Sequence, residues 1–186
     1  MKILVFSDTH GNPECMLHAV KAHVAAGPVA RIVHLGDGYR DFSLIRERYP
    51  DIPTTQVAGN GEDVLFGAHP PIPYSEVFTE GGVTFFATHG HRLQVKNDLD
   101  TAANAGARAG ADVVLFGHTH VAEDTRMDTL YGKPVRLINP GPAGSGYKPS
   151  YAVLEIDNGV LLCGFGGAES CGYRERGFQA VSAERP

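Results

Sequence analysis

What the chain lacks narrows it first. Its three cysteines, Cys15, Cys163 and Cys171, form an odd set with no Cys-x-x-Cys pair, so a disulfide framework is excluded. They read as reduced thiols in a reducing compartment. No apolar run approaches the roughly 20 residues that span a bilayer, and no charged leader with an apolar signal core precedes the first strand. The expectation is therefore a cytoplasmic protein with no membrane partner. No cluster of Lys and Arg interrupts a net charge of −5, which argues against a broad nucleic-acid surface. No internal repeat is visible. What remains is ordinary: 42% hydrophobic and 20% charged residues in a chain of 186. That length can bury roughly 70% of its unfolded surface without staples. One domain is expected over residues 1–165, with a Gly- and charge-rich tail of uncertain order at 166–186.

The chain is organised around its first ten residues. Lys2-Ile3-Leu4-Val5-Phe6 reads as a buried strand and stops at Ser7-Asp8-Thr9-His10-Gly11-Asn12. In an extended segment Asp8 and His10 would point to one side. A helix is predicted over 13–26, with Asn12 as N-cap and Gly27-Pro28 as its stop. Arg31–Leu35 is a second strand, so the chain opens β-α-β and a parallel pair is favoured. A short helix at about 41–48 and a strand near Thr54–Val57 follow. The proline-rich stretch 67–74 is a loop. Ser75–Glu80 and Val83–Thr88 flank Gly81-Gly82 as a hairpin. A helix over 97–109, capped by Asn97 or Asp98, precedes the apolar strand Asp112–Phe116. Beyond it the period shifts to twos, and Val121–Asp128, Lys133–Asn139, Ser150–Asp157 and Gly159–Phe165 read as antiparallel strands joined by tight turns.

Five strand ends carry the notable polar residues: Asp8/His10, Asp37, Asn60, His89 and His118/His120. Four of these sites sit beside a glycine (Gly36, Gly59, Gly90, Gly117), where the backbone can turn sharply. Polar groups buried together at five strand ends are costly unless something satisfies them all, and a metal centre does so. The donors are carboxylate, amide oxygen and imidazole with no thiolate. They suit manganese, iron, nickel or zinc and exclude a structural zinc site. Seven ligands are too many for one open catalytic ion but suit two ions sharing a bridging carboxylate. Metals of this kind would also let an acidic protein bind a small phosphate-bearing ligand.

The order Asp8-x-His10, Gly36-Asp37, Gly59-Asn60, His89, Gly117-His118-Thr119-His120 resembles the calcineurin-like metallophosphoesterase superfamily. The wording Thr88-His89-Gly90-His91 and the later Ile138-Asn139-Pro140-Gly141 are similar to its small YfcE-type phosphodiesterase branch. The resemblance implies an α/β fold, a four-layer α/β/β/α sandwich of mixed β-sheets. It also implies a dinuclear site, with Asp8, His10 and His120 on one metal, Asn60, His89 and His118 on the other, and Asp37 bridging. The implied activity is hydrolysis of a small phosphate diester by a hydroxide that two divalent ions activate, manganese being the first expectation and nickel, iron or zinc the others. The rival readings are a phosphomonoesterase or nucleotide pyrophosphatase on the same site, and, from another class, a non-catalytic scaffold of the retromer-subunit type. A homo-oligomer is compatible with the sequence.

The chain departs from the wider superfamily at Gly61, where many members carry a histidine after the metal-binding asparagine. His91, two residues past a ligand, is expected to fill that role in part, so Asp37, Asn60 and His91 are the residues placed in the catalytic step. Arg92 is a further candidate for phosphate contact. His18 and His23 read as surface helix residues, His69 as a loop residue, and His34 as a buried, hydrogen-bonded histidine. Asp41 and Glu62 could orient ligands or cap helices equally well. Tyr147 and Lys148, in the Gly-Pro loop after Asn139, are candidates for contact with the non-reacting part of a substrate.

Overall fold

The computed structural model describes residues 1–67, 69–144, 148–169 and 172–173. Along these the elements are β1 (Lys2–Phe6), α1 (Glu14–Ala26), β2 (Arg31–His34), α2 (Tyr39–Arg48), β3 (Thr54–Gln56), α3 (Asn60–Phe66), β4 (Ser75–Glu80), β5 (Val83–Thr88), α4 (Asp100–Arg108), β6 (Val113–Leu115), β7 (Ala122–Met127), β8 (Val135–Pro140), β9 (Ser150–Asp157), β10 (Val160–Glu169) and β11 (Gly172–Tyr173). They form two mixed sheets, β11-β10-β9-β1-β2-β3 and β4-β5-β6-β8-β7.

The side-chain period of a strand turns β1 and β6 into the seams of a four-layer structure. Ile3 and Val5 face inward and join Val33, Phe85, Val113, Leu115, Ile138 and Leu154 in the core between the sheets. Leu4 and Phe6 face outward onto α1 and α2, meeting Met16, Val20, Phe42 and Ile45. On the far side Val114 and Phe116 meet Ala102 and Ala103 of α4. This is the expected α/β/β/α sandwich. Strands buried on both faces read as continuous apolar runs, which is why β1 was the plainest element in the sequence.

Four expectations need correction. The strands after residue 120 are not one antiparallel meander: β8 pairs parallel with β6 and antiparallel with β7, while β9 crosses to pair antiparallel with β1. Alternation specifies a half-buried strand but not the edge it joins. Helix α3 was not foreseen, because seven residues opening Asn-Gly are too short to show a helical period. Asn12 does not cap α1; its amide donates to the Gly144 carbonyl at 2.9 Å, tying two loops together. His23 is buried rather than on the surface, 3.1 Å from the Tyr151 hydroxyl. Tyr147 and residues 174–186 of the tail lie outside the described residues. Among the described residues no helix is long and apolar enough to cross a membrane.

Candidate metal centre

Strands β1, β2 and β3 run parallel in one sheet, and β5 and β6 run parallel in the other. Their carboxyl ends open onto one edge, where such sheets place ligand sites. Asp8 and His10 follow β1, Asp37 follows β2, Asn60 opens α3 after β3, His89 follows β5, and His118 and His120 follow β6. Asp8, His10 and His120 form one group whose donor atoms all lie within 4.8 Å of one another, and Asp8, Asp37 and His89 form a second. Asn60 joins the second through its Oδ1, 3.2 Å from His89 Nε2. The His118 ring lies 5.0 Å, centroid to centroid, from that of His89.

The backbone here is not the extended segment that the alternation of Asp8 and His10 suggests. Asp8 (φ 54°), His10 (48°), Asp37 (57°), His118 (68°) and His120 (59°) all adopt the left-handed conformation, which side chains with a Cβ rarely enter. Conformations of this kind cost on the order of 1–3 kcal/mol each and persist only where the surroundings over-determine them. The surroundings are visible. Asp8 N–H donates to Gly36 O at 3.0 Å, and His10 N–H to Asp37 O at 2.9 Å. Asn139, fully buried at the end of β8, donates through Nδ2 to Gly117 O (3.1 Å) and Thr119 Oγ1 (2.9 Å), pinning the loop of His118 and His120. The segment after it returns to the same edge, with Gly144 N–H donating to Asp8 O at 3.2 Å.

Each carboxylate is half committed to backbone and half presented. Asp37 Oδ1 accepts from Gly61 N–H at 2.6 Å, leaving Oδ2 at 3.5 Å from His89 Nε2 and 3.7 Å from His10 Nε2. Asp8 Oδ2 accepts from His118 N–H at 3.1 Å, leaving Oδ1 at 3.1 Å from His120, 3.7 Å from His10 and 3.9 Å from His89. Asp8 thus belongs to both groups, and Asp37 Oδ2 faces His10 of the first as well as His89 of the second.

His89 makes the strongest case for a cation. Its Nδ1 lies 2.6 Å from the Leu35 carbonyl, which can only accept, so Nδ1 carries the proton. Nε2 then faces oxygens of Asp8, Asp37 and Asn60. Three oxygens around one ring nitrogen call for a proton or a metal ion between them. The Nε2 atoms of His10 and His120 lie 3.3 Å apart beside the same carboxylates. Carboxylate, amide oxygen and imidazole with fixed outer hydrogen bonds are a fitting donor set for divalent transition metals.

The electrostatics agree. Burial would raise the Asp8 carboxyl, but the contact with His10 and the charges of His89 and His120 hold it well below the usual range. The Asp8 side chain in turn raises His10 above the ordinary imidazole value, against its own partial burial. Burial, then His89 and Lys96, push His118 down to about 4.

Glu62 is the support that the sequence left undecided. Its carboxylate is buried and accepts four backbone N–H groups: Asp37 (2.8 Å) and Gly59 (2.7 Å) on Oε2, Gly38 (3.0 Å) and Tyr39 (2.9 Å) on Oε1. One side chain therefore ties the Asp37 loop to the turn that presents Asn60, and caps α2 and α3 at once. Burial raises its pKa and these four donors more than reverse the effect. Asp41 accepts from Gly11 N–H at 2.8 Å, and His34 is buried beside Thr9 Oγ1 (3.3 Å) and Gly36 N–H (3.3 Å). No signal foretold the group at the rim, where Asp63 accepts from the Tyr74 hydroxyl at 2.5 Å and from His91 Nε2 at 3.2 Å.

The calcineurin-like phosphoesterase superfamily domain model matches residues 1–159. A probable metallophosphoesterase, YsnB, from Bacillus subtilis is 30% identical over 175 residues, covering 89% of this chain and 90% of its own. Among solved structures, a predicted phosphoesterase from Streptococcus pneumoniae superposes with a TM-score of 0.68 at 24% identity, covering 88% and 87% of the two chains. Vps29 from Entamoeba histolytica, complexed with zinc, superposes with a TM-score of 0.71 at 19% identity, covering 98% and 99%. At those identities the two structures speak for the fold alone.

Proposed function

The chain belongs to the calcineurin-like phosphoesterase superfamily, and on that premise we propose that it is a metal-dependent phosphodiesterase acting on a small phosphate diester. The observation that carries the reading is the ring of acceptors around His89 Nε2, joined to five ligand positions held in left-handed backbone. Asp8, His10 and His120 would hold one divalent ion, Asn60, His89 and His118 a second, and Asp37 would bridge them, with manganese the first candidate. Two ions so held would supply Lewis acidity toward the phosphoryl oxygens and lower the pKa of a bound water.

The protein's part is to present these donors in fixed geometry. The backbone donors on Asp8 Oδ2 and Asp37 Oδ1 aim the opposite oxygens into the site, and Leu35 O sets the tautomer of His89. His91 is proposed to help the leaving group depart. Asp63 can only accept, so His91 donates Nε2–H to it, and Nδ1, buried with no hydrogen-bond partner among the described residues, would carry the proton handed to the leaving group. The ring stands 5.3 Å from that of His89 and 6.1 Å from that of His118.

Diester over monoester rests on the resemblance to the YfcE-type branch, and position 61 weighs mildly against a fast phosphomonoesterase. A Cβ there would come 2.9 Å from Asp37 Oδ1, so a histidine at this position would need the Asp37 side chain to shift. Without that acid, substrates needing strong protonation of the leaving group should be slow, general acid help being worth about 10²–10⁴ in rate. The test is hydrolysis of bis(p-nitrophenyl) phosphate and p-nitrophenyl phosphate by metal-stripped protein to which manganese, nickel, zinc or magnesium is returned. Metal-restored activity strongest on the diester, and absent in Asp37→Ala, is expected. Preference for the monoester would make it a phosphatase, and inactivity with every metal in a folded protein would leave the scaffold reading.

A further inference from the structure

The rim of the centre carries a cation held for a purpose the metal site does not explain. Arg92 follows His91 directly, and its guanidinium lies 3.4 Å from the centroid of the Tyr74 ring. That ring is anchored by its hydroxyl to Asp63 Oδ1 at 2.5 Å and stands 6.0 Å from the ring of His91. Arg92 Nη2 is 3.9 Å from the same Oδ1, an ion-pair distance but too long for a hydrogen bond. Asp63 is already engaged by Tyr74 and His91 and takes no hydrogen bond from the guanidinium. The Arg92 side chain remains 52% exposed.

Stacking fixes the plane of a guanidinium and leaves its edge N–H groups free to take an oxyanion side-on. Holding a long side chain in one orientation before the ligand arrives lowers the ordering cost of binding. Exposed Lys96, four residues on, adds a second cation to this segment.

We propose that Arg92, pinned on Tyr74, is an anion subsite for a second phosphate group on the substrate, at the rim of the proposed metal centre. The preferred substrate class is then a phosphodiester that also carries a terminal phosphomonoester, as in a phosphorylated nucleotide ester. The inference rests on the phosphodiesterase reading for the reaction, but the binding it describes can be measured without turnover.

The binding experiment titrates the manganese-loaded protein calorimetrically with thymidine 5′-monophosphate and with thymidine 3′,5′-bisphosphate. Wild type should bind the bisphosphate about tenfold more tightly, the weight of one charge-assisted contact. In Arg92→Met the ratio should fall to near one. Arg92→Lys, which keeps the charge but loses the planar fork, should lie between. A ratio near one in the wild type, or one that survives in Arg92→Met, overturns the subsite. The turnover experiment compares the p-nitrophenyl ester of thymidine 5′-phosphate with and without a 3′-phosphate, read as the ratio of kcat/KM. Hydrolysis of both at equal kcat/KM, with equal binding, would refute the subsite and keep the phosphodiesterase. No hydrolysis of either, with an Arg92-dependent binding ratio, would refute the phosphodiesterase and keep the subsite.

Discussion

Replacing Glu62 by glutamine should loosen the centre without touching a proposed ligand. In the native protein two carboxylate oxygens each accept two backbone N–H groups, at 2.7–3.0 Å, in a site only 3% exposed. Glutamine keeps one oxygen and one such pair. Its NH2 must face the other pair, donor against donor, whichever way the amide turns. Two charge-assisted hydrogen bonds are lost, at about 1.5–3 kcal/mol each, for a total of about 3–6 kcal/mol. That is a large part of the roughly 5–15 kcal/mol that stabilises a typical domain. Urea unfolding of the metal-free protein measures it directly. Because Glu62 holds the Asp37 N–H and the turn before Asn60, manganese affinity should also fall, by about 10–100-fold as for other supports of metal ligands. A loss below about 1 kcal/mol with unchanged metal affinity would refute the reasoning, since it would mean that the four short contacts carry no weight.

His91→Ala should slow diesters with poor leaving groups far more than activated p-nitrophenyl esters, and equal loss on both would remove His91 from the leaving-group role. Gly59→Ala should abolish metal binding measured by calorimetry, because its Cβ would stand 2.2 Å from Asp37 Oδ1; full binding would show that the carboxylate can move aside. The pH dependence of stability should carry the mark of His34, whose burial pushes its imidazole from 6.5 down to about 4. The unfolded chain takes up that proton first as pH falls. Stability is therefore intact above about 6.5 and declines toward pH 4, by on the order of 3 kcal/mol at 1.4 kcal/mol per pH unit. His34→Gln should flatten that part of the unfolding profile, and an unchanged slope would place the titration elsewhere.

The sandwich was legible because its central strands are apolar on both faces and its first three elements spell β-α-β. The hairpin Ser75–Glu80/Val83–Thr88 was legible to the residue, since two glycines at the turn leave little choice of register. The polar residues at the strand ends stood out for a related reason: a carboxylate or imidazole directly after a buried strand has nowhere inexpensive to go. Helix α3 and the crossing of β9 to the first sheet were hidden, one by brevity and one because edge choice depends on residues far along the chain. The buried state of His23 was equally invisible, as its partner Tyr151 is 128 positions away.

Local sequence by itself determined which segments are strands, which faces are apolar and which side chains are left at the strand ends, because these follow from period and from single turns. The tertiary structure alone decided that loops from two sheets bend into left-handed backbone and bring Asp8, His10, Asp37, His89 and His120 into two groups with donor atoms within 4.8 Å. It alone gave Glu62 four donors from two loops and set Arg92 on Tyr74. Such contacts join residues tens of positions apart, and their strength comes from burial and mutual geometry, neither of which any one stretch of chain contains.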